Sequence, residues 1–390
     1  MTVLAGKSFI VPVMNKDNNH LTVQNIKWQE LSPLVSFERE GRQEGVSAAF
    51  GGVLGNAIMV AGGCNFPVKN VAEGGTKVYY DQIQVMRNPE TVNAEWEIMG
   101  RLPVPVANGA SVTLDEGVVC IGGKNENGAL NQVYLLKWNT DHSAIVIHQL
   151  AELPVTMDDM AAATDGANIY VAGGSCDGVA GNRCFVLNGL QALEWEELPV
   201  FPGTARVQPV GAVAGGKFWL IGGFQPVVGE QGCQLAEEGL CYDPVTAQWT
   251  PMSKMIMAGE KLPRAVVGAA GVALDCHTLI IHGGVDRTVF KTAVDNPLLQ
   301  QRAIATGNTD ELQQLKKAQA EYLKHEPEWY KFNRQLLIYH TEQDRWESVG
   351  DFPGLARAGA VMILYGKKII VINGETKPGI RSAAVSVIEL

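Results

Sequence analysis

The chain has 390 residues, a formal net charge of −10, 46% hydrophobic and 18% charged residues, and 43 glycines. That balance belongs to a folded, turn-rich chain rather than a disordered one. The acidic surplus, with no basic stripe, argues against electrostatic capture of nucleic acid or of an anionic membrane surface.

No apolar run reaches the ~20 residues that span a bilayer, so a soluble protein with no membrane partner is expected. At the start, the run Phe9-Ile-Val-Pro-Val-Met14 is preceded only by Lys7 as a charge, and no small-residue cleavage motif follows it. No signal peptide is predicted. The expected compartment is the cytoplasm, or the periplasm if the chain is a processed mature form. The seven cysteines are Cys64, Cys120, Cys176, Cys184, Cys233, Cys241 and Cys276; an odd count without a Cys-x-x-Cys pair reads as free buried thiols.

A length of 390 residues exceeds the ~250–300 residues at which single cores stop growing, unless the chain repeats. It does. An apolar strand ends in paired small residues at Val60-Ala-Gly-Gly63, Cys120-Ile-Gly-Gly123, Val171-Ala-Gly-Gly174, Leu220-Ile-Gly-Gly223, Ile281-His-Gly-Gly284 and Val371-Ile-Asn-Gly374. The steps between doublets are 60, 51, 49, 61 and 90 residues. A second marker is a tryptophan beside a Leu or Met, at Trp28, Trp96, Trp195, Trp249 and Trp346; His148 to Pro154 stands in its place in one repeat. Between doublet and tryptophan lies a β-rich run such as Gln132-Val-Tyr-Leu135 or Leu336-Leu-Ile-Tyr339, and before each doublet a Gly/Ala/Val run such as Val210-Gly-Ala-Val213. Four strands per repeat at a period near 50 resemble a Kelch propeller blade. The sixth repeat stops at Ala384-Val-Ser-Val-Ile388 without its tryptophan strand, and Val23 to Leu31, with Trp28, supplies it. The expected fold is all-β: one domain over residues 1–390, a six-bladed Kelch-type β-propeller closed by an N-terminal strand, with a small helical insert at about 295–330. In that insert Asn308 or Thr309 caps a helix with a rough stripe of Leu312, Leu315, Tyr322 and Leu323, and Pro327 ends it.

The residue after each doublet is Cys64, Lys124, Ser175, Phe224, Val285 or Glu375. In a propeller these positions ring the channel mouth, and one alone is a carboxylate. The same repeat replaces a glycine by Asn373. The segment Ile372-Asn-Gly-Glu-Thr-Lys-Pro-Gly-Ile-Arg381 resembles the signature of bacterial N-acetylneuraminate epimerases, also called sialic acid mutarotases. Gly284 to Phe290, Tyr330 to Leu337 and Gly62-Gly-Cys-Asn-Phe66 resemble segments of the same family. The order of blades resembles a circularly permuted branch.

The resemblance implies a cofactor-free isomerase interconverting the anomers of a small sugar acid, with Glu375 and Arg381 as its active-site pair. Glu375 would be the base and Arg381 the carboxylate-holding group, with Asn373 orienting Glu375 or bonding a sugar hydroxyl; a structural ion pair is the alternative. Arg206, Arg264 and Arg357 recur before the innermost strand and either line the channel or brace blades. His282 is a proton donor or a core histidine. Asn65, Lys77 and Arg287 lie in loops and either contact substrate or are solvated. Phe290 and Tyr330 stack on sugar or pack a lid made by the insert. The seven histidines show no metal-ligand spacing, so no metal is expected, and Asp158-Asp159 reads as a turn. A homodimer is left open, as are a protein-interaction module and a mutarotase for another acidic or amino sugar.

Overall fold

The computed structural model describes residues 8–10, 25–37, 45–91 and 93–390. Among them the protein is all-β apart from two α-helices and three short 3-10 turns. Five four-stranded antiparallel sheets follow one another along the chain. Sheet 1 is built from Phe50–Leu54, Ala57–Ala61, Gln82–Arg87 and Trp96–Arg101, and sheet 2 from Ala110–Leu114, Gly117–Ile121, Val133–Trp138 and Ile145–Gln149. Sheets 3, 4 and 5 repeat the order, starting at Ala161–Thr164, Val210–Ala214 and Ala270–Ala273. Sheet 6 takes Val361–Tyr365, Lys368–Ile372 and Val385–Glu389 from the far end of the chain and completes itself with Asn25–Leu31.

The register of that last pairing is Lys27 with Glu389, Trp28 with Ile388 and Leu31 with Val385. The strand expected from Val23 to Leu31 is thus present from Asn25; Val23 and Gln24 lie outside the described residues. A further strand, Ser8–Ile10, pairs with its outer side, which the apolar composition of Phe9 to Met14 did not announce.

The second strands are almost completely buried, as at Ala57–Ala61, and most third strands nearly so, as at Leu336–His340. Such strands face neighbours on both sides and therefore read as near-continuous apolar runs. The six first strands touch in cyclic order: sheet 1 against 2, 2 against 3, 3 against 4, 4 against 5, 5 against 6 and 6 against 1. Just before each lies one residue in the left-handed conformation: Ala48, Asn108, Asp159, Gln208, Gly268 and Gly359, with φ between 55° and 67°. Their backbones join hands. The amide of Asn108 donates to Ala48 O at 2.9 Å, Asp159 to Asn108 O at 2.7 Å, Gln208 to Asp159 O at 2.7 Å, Gly268 to Gln208 O at 3.3 Å, Gly359 to Gly268 O at 2.7 Å and Ala48 to Gly359 O at 2.7 Å.

The outer tryptophans knit neighbouring sheets. Their indole N–H groups donate across the boundary: Trp96 to Ser32 O, Trp195 to Ala151 O, Trp249 to Pro199 O and Trp346 to Ser253 O, all at 2.8–3.0 Å. The repeat without a tryptophan in its fourth strand uses Trp138 of its third strand, which donates to Leu54 O, and Trp28 stacks on Phe352. Trp195→Phe keeps an aromatic ring but removes the donor and part of the buried indole, leaving a part-buried carbonyl unpaired. It should cost about 1–3 kcal/mol, read as a lower denaturant midpoint with unchanged slope.

The doublets have a backbone cause. Gly62, Gly122, Gly173, Gly222 and Gly283 have φ of 52–70°, and Asn373 in the sixth has 64°; asparagine is among the few side chains that adopt this conformation readily. After five of the six doublets a small hairpin follows, such as Cys64–Asn65 with Val78–Tyr79, and Glu375–Lys377 with Ile380–Arg381. The fifth doublet is followed instead by helices α1, Arg287–Thr306, and α2, Thr309–Tyr322. The helical region therefore begins at Arg287 rather than near 295. Asp286 caps α1 by accepting from the amides of Thr288 and Val289, and Asn308 caps α2. No helix among the described residues is long and apolar enough to cross a membrane.

Candidate active site

The left-handed residues surround a cavity of about 330 Å³ whose wall draws on all six sheets: Ala48, Asn108, Asp159, Gln208, Gly268 and Gly359 among them, with Lys77, Glu375 and Arg381. Its volume falls at the small end of the ~300–1,000 Å³ usual for ligand sites. Glu375 follows the sixth doublet and is fixed by two backbone bonds with Ala358, at 2.7 and 2.9 Å. Arg381 stands opposite Glu375 in the hairpin register. Side-chain contact follows: Arg381 Nη2 lies 2.7 Å from Glu375 Oε2, and Nε donates to Ser47 Oγ at 3.0 Å.

The Phe66 ring lies 5.0 Å from the guanidinium. The remaining terminal nitrogen, Nη1, is buried without a protein partner. Burial raises the Glu375 carboxyl above the usual carboxylate range, although the nearby Arg381 charge, the Gly379 amide and Lys77 pull the other way. The side chain nevertheless keeps 22% of its surface exposed, so water and solutes reach it.

A second polar group occupies the same wall. Asp159 Oδ1 accepts from Asn108 Nδ2 at 2.7 Å and from Gln208 Nε2 at 3.4 Å. Lys124 Nζ bridges Asp158 Oδ1 at 2.6 Å and Asp159 Oδ2 at 2.9 Å. Burial, chiefly, pushes Asp158 up to about 6, against the pull of Lys124. This group was missed in the sequence, where Asp158-Asp159 resembles an ordinary turn. The signal was available: Lys124 occupies the position that Glu375 occupies in the sixth repeat.

Several expected site residues lie elsewhere. Arg206 is fully buried and donates to Thr204 O, Gly222 O, Glu238 O and Glu238 Oε1; it braces sheet 4 and is not on the cavity wall. Arg357 does the same in sheet 6, donating to Asn373 O, Ala384 O and Ser386 Oγ. Burial lowers both guanidinium groups to about 10. Arg264 pairs with Glu260, Asn333 and Gln335, and Arg287 with Glu237 and Pro263 O. Those two line a separate surface cavity of about 560 Å³ beside the helices.

His282 is buried in the second strand of sheet 5, and burial with the charge of Arg357 pushes it down to about 3, so it stays neutral. Asn65 is buried, donating to Gly45 O and accepting from the Tyr80 hydroxyl. Asn373 is fully buried, and neither side-chain polar atom has a partner, Glu375 included. Its place follows from its backbone angle.

The helices reach the site's rim. Phe290 packs edge-on against Phe224 at 4.9 Å. Tyr330 is buried among Tyr322, Trp329 and Phe332 and donates to Tyr322 O. Lys377 of the site hairpin donates to His325 O at 2.8 Å. Burial raises Tyr322 to about 12, with contributions from Tyr330 and the Glu375 charge. Among the described residues no cluster of three or more His, Cys, Asp or Glu side chains is placed to hold a metal.

The fold and the site together define an all-β protein of six repeated sheets with one carboxylate–guanidinium pair in a shared cavity. A family model described as N-acetylneuraminate epimerase matches residues 13–145 and 150–390. The chain belongs to the N-acetylneuraminate epimerase family. Proteins named N-acetylneuraminate epimerase are similar to it in Haemophilus influenzae (strain 86-028NP), at 31% identity over 237 residues, and in Pasteurella multocida (strain Pm70), at 30% over 234; each match covers 60% of this chain and 57% of the relative. The relative from Yersinia pestis (strain Pestoides F) is 30% identical over 192 residues, 49% of this chain and 45% of its own. The matched stretches thus span about half the length of these curated relatives.

Proposed function

We propose that residues 1–390 form one six-bladed Kelch-type propeller of circularly permuted order, and that it is a mutarotase interconverting the α and β anomers of N-acetylneuraminate without a cofactor. The cyclic contacts of the six first strands support the propeller reading. The observation that carries the function is the Glu375–Arg381 pair on a cavity of sugar size.

The sugar acid is a cyclic hemiketal. Opening it removes the proton of the anomeric hydroxyl, forms the ketone and breaks the bond to the ring oxygen, which takes a proton. Reclosure on the other face of the carbonyl reverses each step. Glu375 is positioned as the base, and once protonated it is the acid for the return. Water completes the circuit by protonating the ring oxygen. A carboxyl with raised proton affinity suits this exchange, because proton transfer is most efficient when the catalyst's pKa lies near the working pH. Arg381 already gives one terminal nitrogen to Glu375, so Nη1 is the donor left for the substrate carboxylate, with Lys77 as a second cation on the wall.

The test is proton NMR of freshly released α-N-acetylneuraminate. The β anomer should appear faster in proportion to protein concentration, and an exchange rate equal to buffer alone at every concentration rejects the function.

A further inference from the structure

The six residues whose backbones close on one another are unequal in their side chains. Ala48, Gly268 and Gly359 are bare, whereas Asn108, Asp159 and Gln208 are consecutive around the ring and polar. The bare arc adjoins the acid/base pair, since Ser47 bonds Arg381 and Ala358 pairs with Glu375. The polar arc is backed by Lys124 and Asp158. We propose that Asn108, Asp159 and Gln208 form the subsite for the uncharged, polyhydroxylated tail of the sugar acid, a reading that rests on the function proposed above.

Charge and hydrogen-bonding chemistry both point this way. Around the polar arc two carboxylates, Asp158 and Asp159, face one ammonium, Lys124. At the other side two cations, Arg381 and Lys77, accompany one carboxylate, Glu375. The cavity therefore has a negative and a positive side. A ligand with a carboxylate at one end and hydroxyls at the other enters favourably in one orientation: acid toward Arg381, hydroxyls toward Asp159. The reverse places the ligand's carboxylate against Asp159, with Asp158 behind it, where like charges repel.

The polar arc also offers what hydroxyl donors need. Asn108 donates its amide nitrogen to Asp159, which fixes its orientation and leaves Oδ1 buried without a partner. Gln208 is oriented likewise toward Asp159 by its nitrogen. Lys124 and the amides keep the Asp159 carboxylate in place, so it acts as a positioning group rather than the proton-transferring one.

Asn108→Ala and Gln208→Ala test the subsite with little risk to the fold, because alanine already stands in this left-handed conformation at Ala48. Binding and anomer exchange would be measured for N-acetylneuraminate and for an analogue shortened by two carbons at its hydroxylated tail. Each variant should bind the full sugar about 3–10-fold more weakly, the worth of one hydrogen bond, and bind the short analogue as the wild type does, with thermal midpoints confirming folded protein. Equal weakening toward both sugars, or none toward either, overturns the subsite while leaving the mutarotase reading intact. A wild type that neither binds nor accelerates either sugar overturns the mutarotase reading, and the subsite with it.

Discussion

Replacing Glu375 with Gln is expected to lower the catalysed rate of anomer exchange by about 10²–10⁴-fold, the usual worth of a positioned general acid/base group. Glutamine preserves the size of the side chain and the two backbone bonds to Ala358, so the hairpin that presents it should remain. It cannot take the anomeric proton. Arg381, whose side chain is 6% exposed, loses its anion, and its affinity for the substrate carboxylate should be kept or strengthened. The expected signature is a loss in kcat with little or no rise in KM. Glu375→Asp, which retains the acid with a shorter reach, should recover part of the rate. The wild-type pH profile carries the same information. Burial raises the Glu375 pKa, so the basic form, and the rate with it, should be lost on acidification at a higher pH than for an exposed carboxylate. An unchanged rate in Glu375→Gln removes Glu375 from the chemistry.

Arg206→Leu should act on stability instead. Arg206 has no exposed surface and holds three carbonyls and the Glu238 carboxylate together. Removing one member of such a buried polar set leaves the others unpaired, and a loss of about 3–5 kcal/mol is typical. Because Glu238 keeps 31% of its side chain exposed, solvent screens it, and a value near the lower end is expected. Denaturant titration should show the loss, while folded protein binds the sugar with unchanged affinity. The opposite pattern, normal stability with lost binding, would make Arg206 a substrate contact after all.

The contrast between Glu375 and Arg206 explains what the amino-acid order discloses. Positions governed by the backbone are legible: the left-handed first position of each doublet holds Gly or Asn, hence the six doublets, and an outer indole recurs in each repeat, bonding the adjacent sheet at Trp96, Trp138, Trp195, Trp249 and Trp346. The missing tryptophan strand at the end of the chain pointed to Trp28 and the pairing of Asn25–Leu31 for the same reason. Glu375 and Arg381 were singled out by the motif that resembles the family's, and their contact is local because they sit opposite each other within one short hairpin.

What failed were inferences needing a side chain's direction or a partner in another sheet. Arg206 and Arg357 recur before the innermost strand, but recurrence does not say whether they turn inward to carbonyls or outward to the cavity. Asp158 and Asp159 meet Lys124 only across two repeats, and as neighbours in sequence they resemble a turn. Only the start of helix α1 was misplaced: the expected insert began near 295 where the helix begins at Arg287, and it contains Pro297, a residue that ordinarily argues against a helix interior.

The pairing of Asn25–Leu31 with Val385–Glu389 has a consequence for the order of folding. Its partners lie near opposite ends of the sequence, so the closing contact carries a loop entropy on the order of 5 kcal/mol by the logarithmic closure law, and during synthesis it forms only after sheets 1 to 5 have emerged. The cavity borrows Ser47 from the near side of that seam and Glu375 and Arg381 from the far side. Until the seam shuts, the sheets can be intact and the site absent; the complete cavity therefore arrives as the final event of assembly.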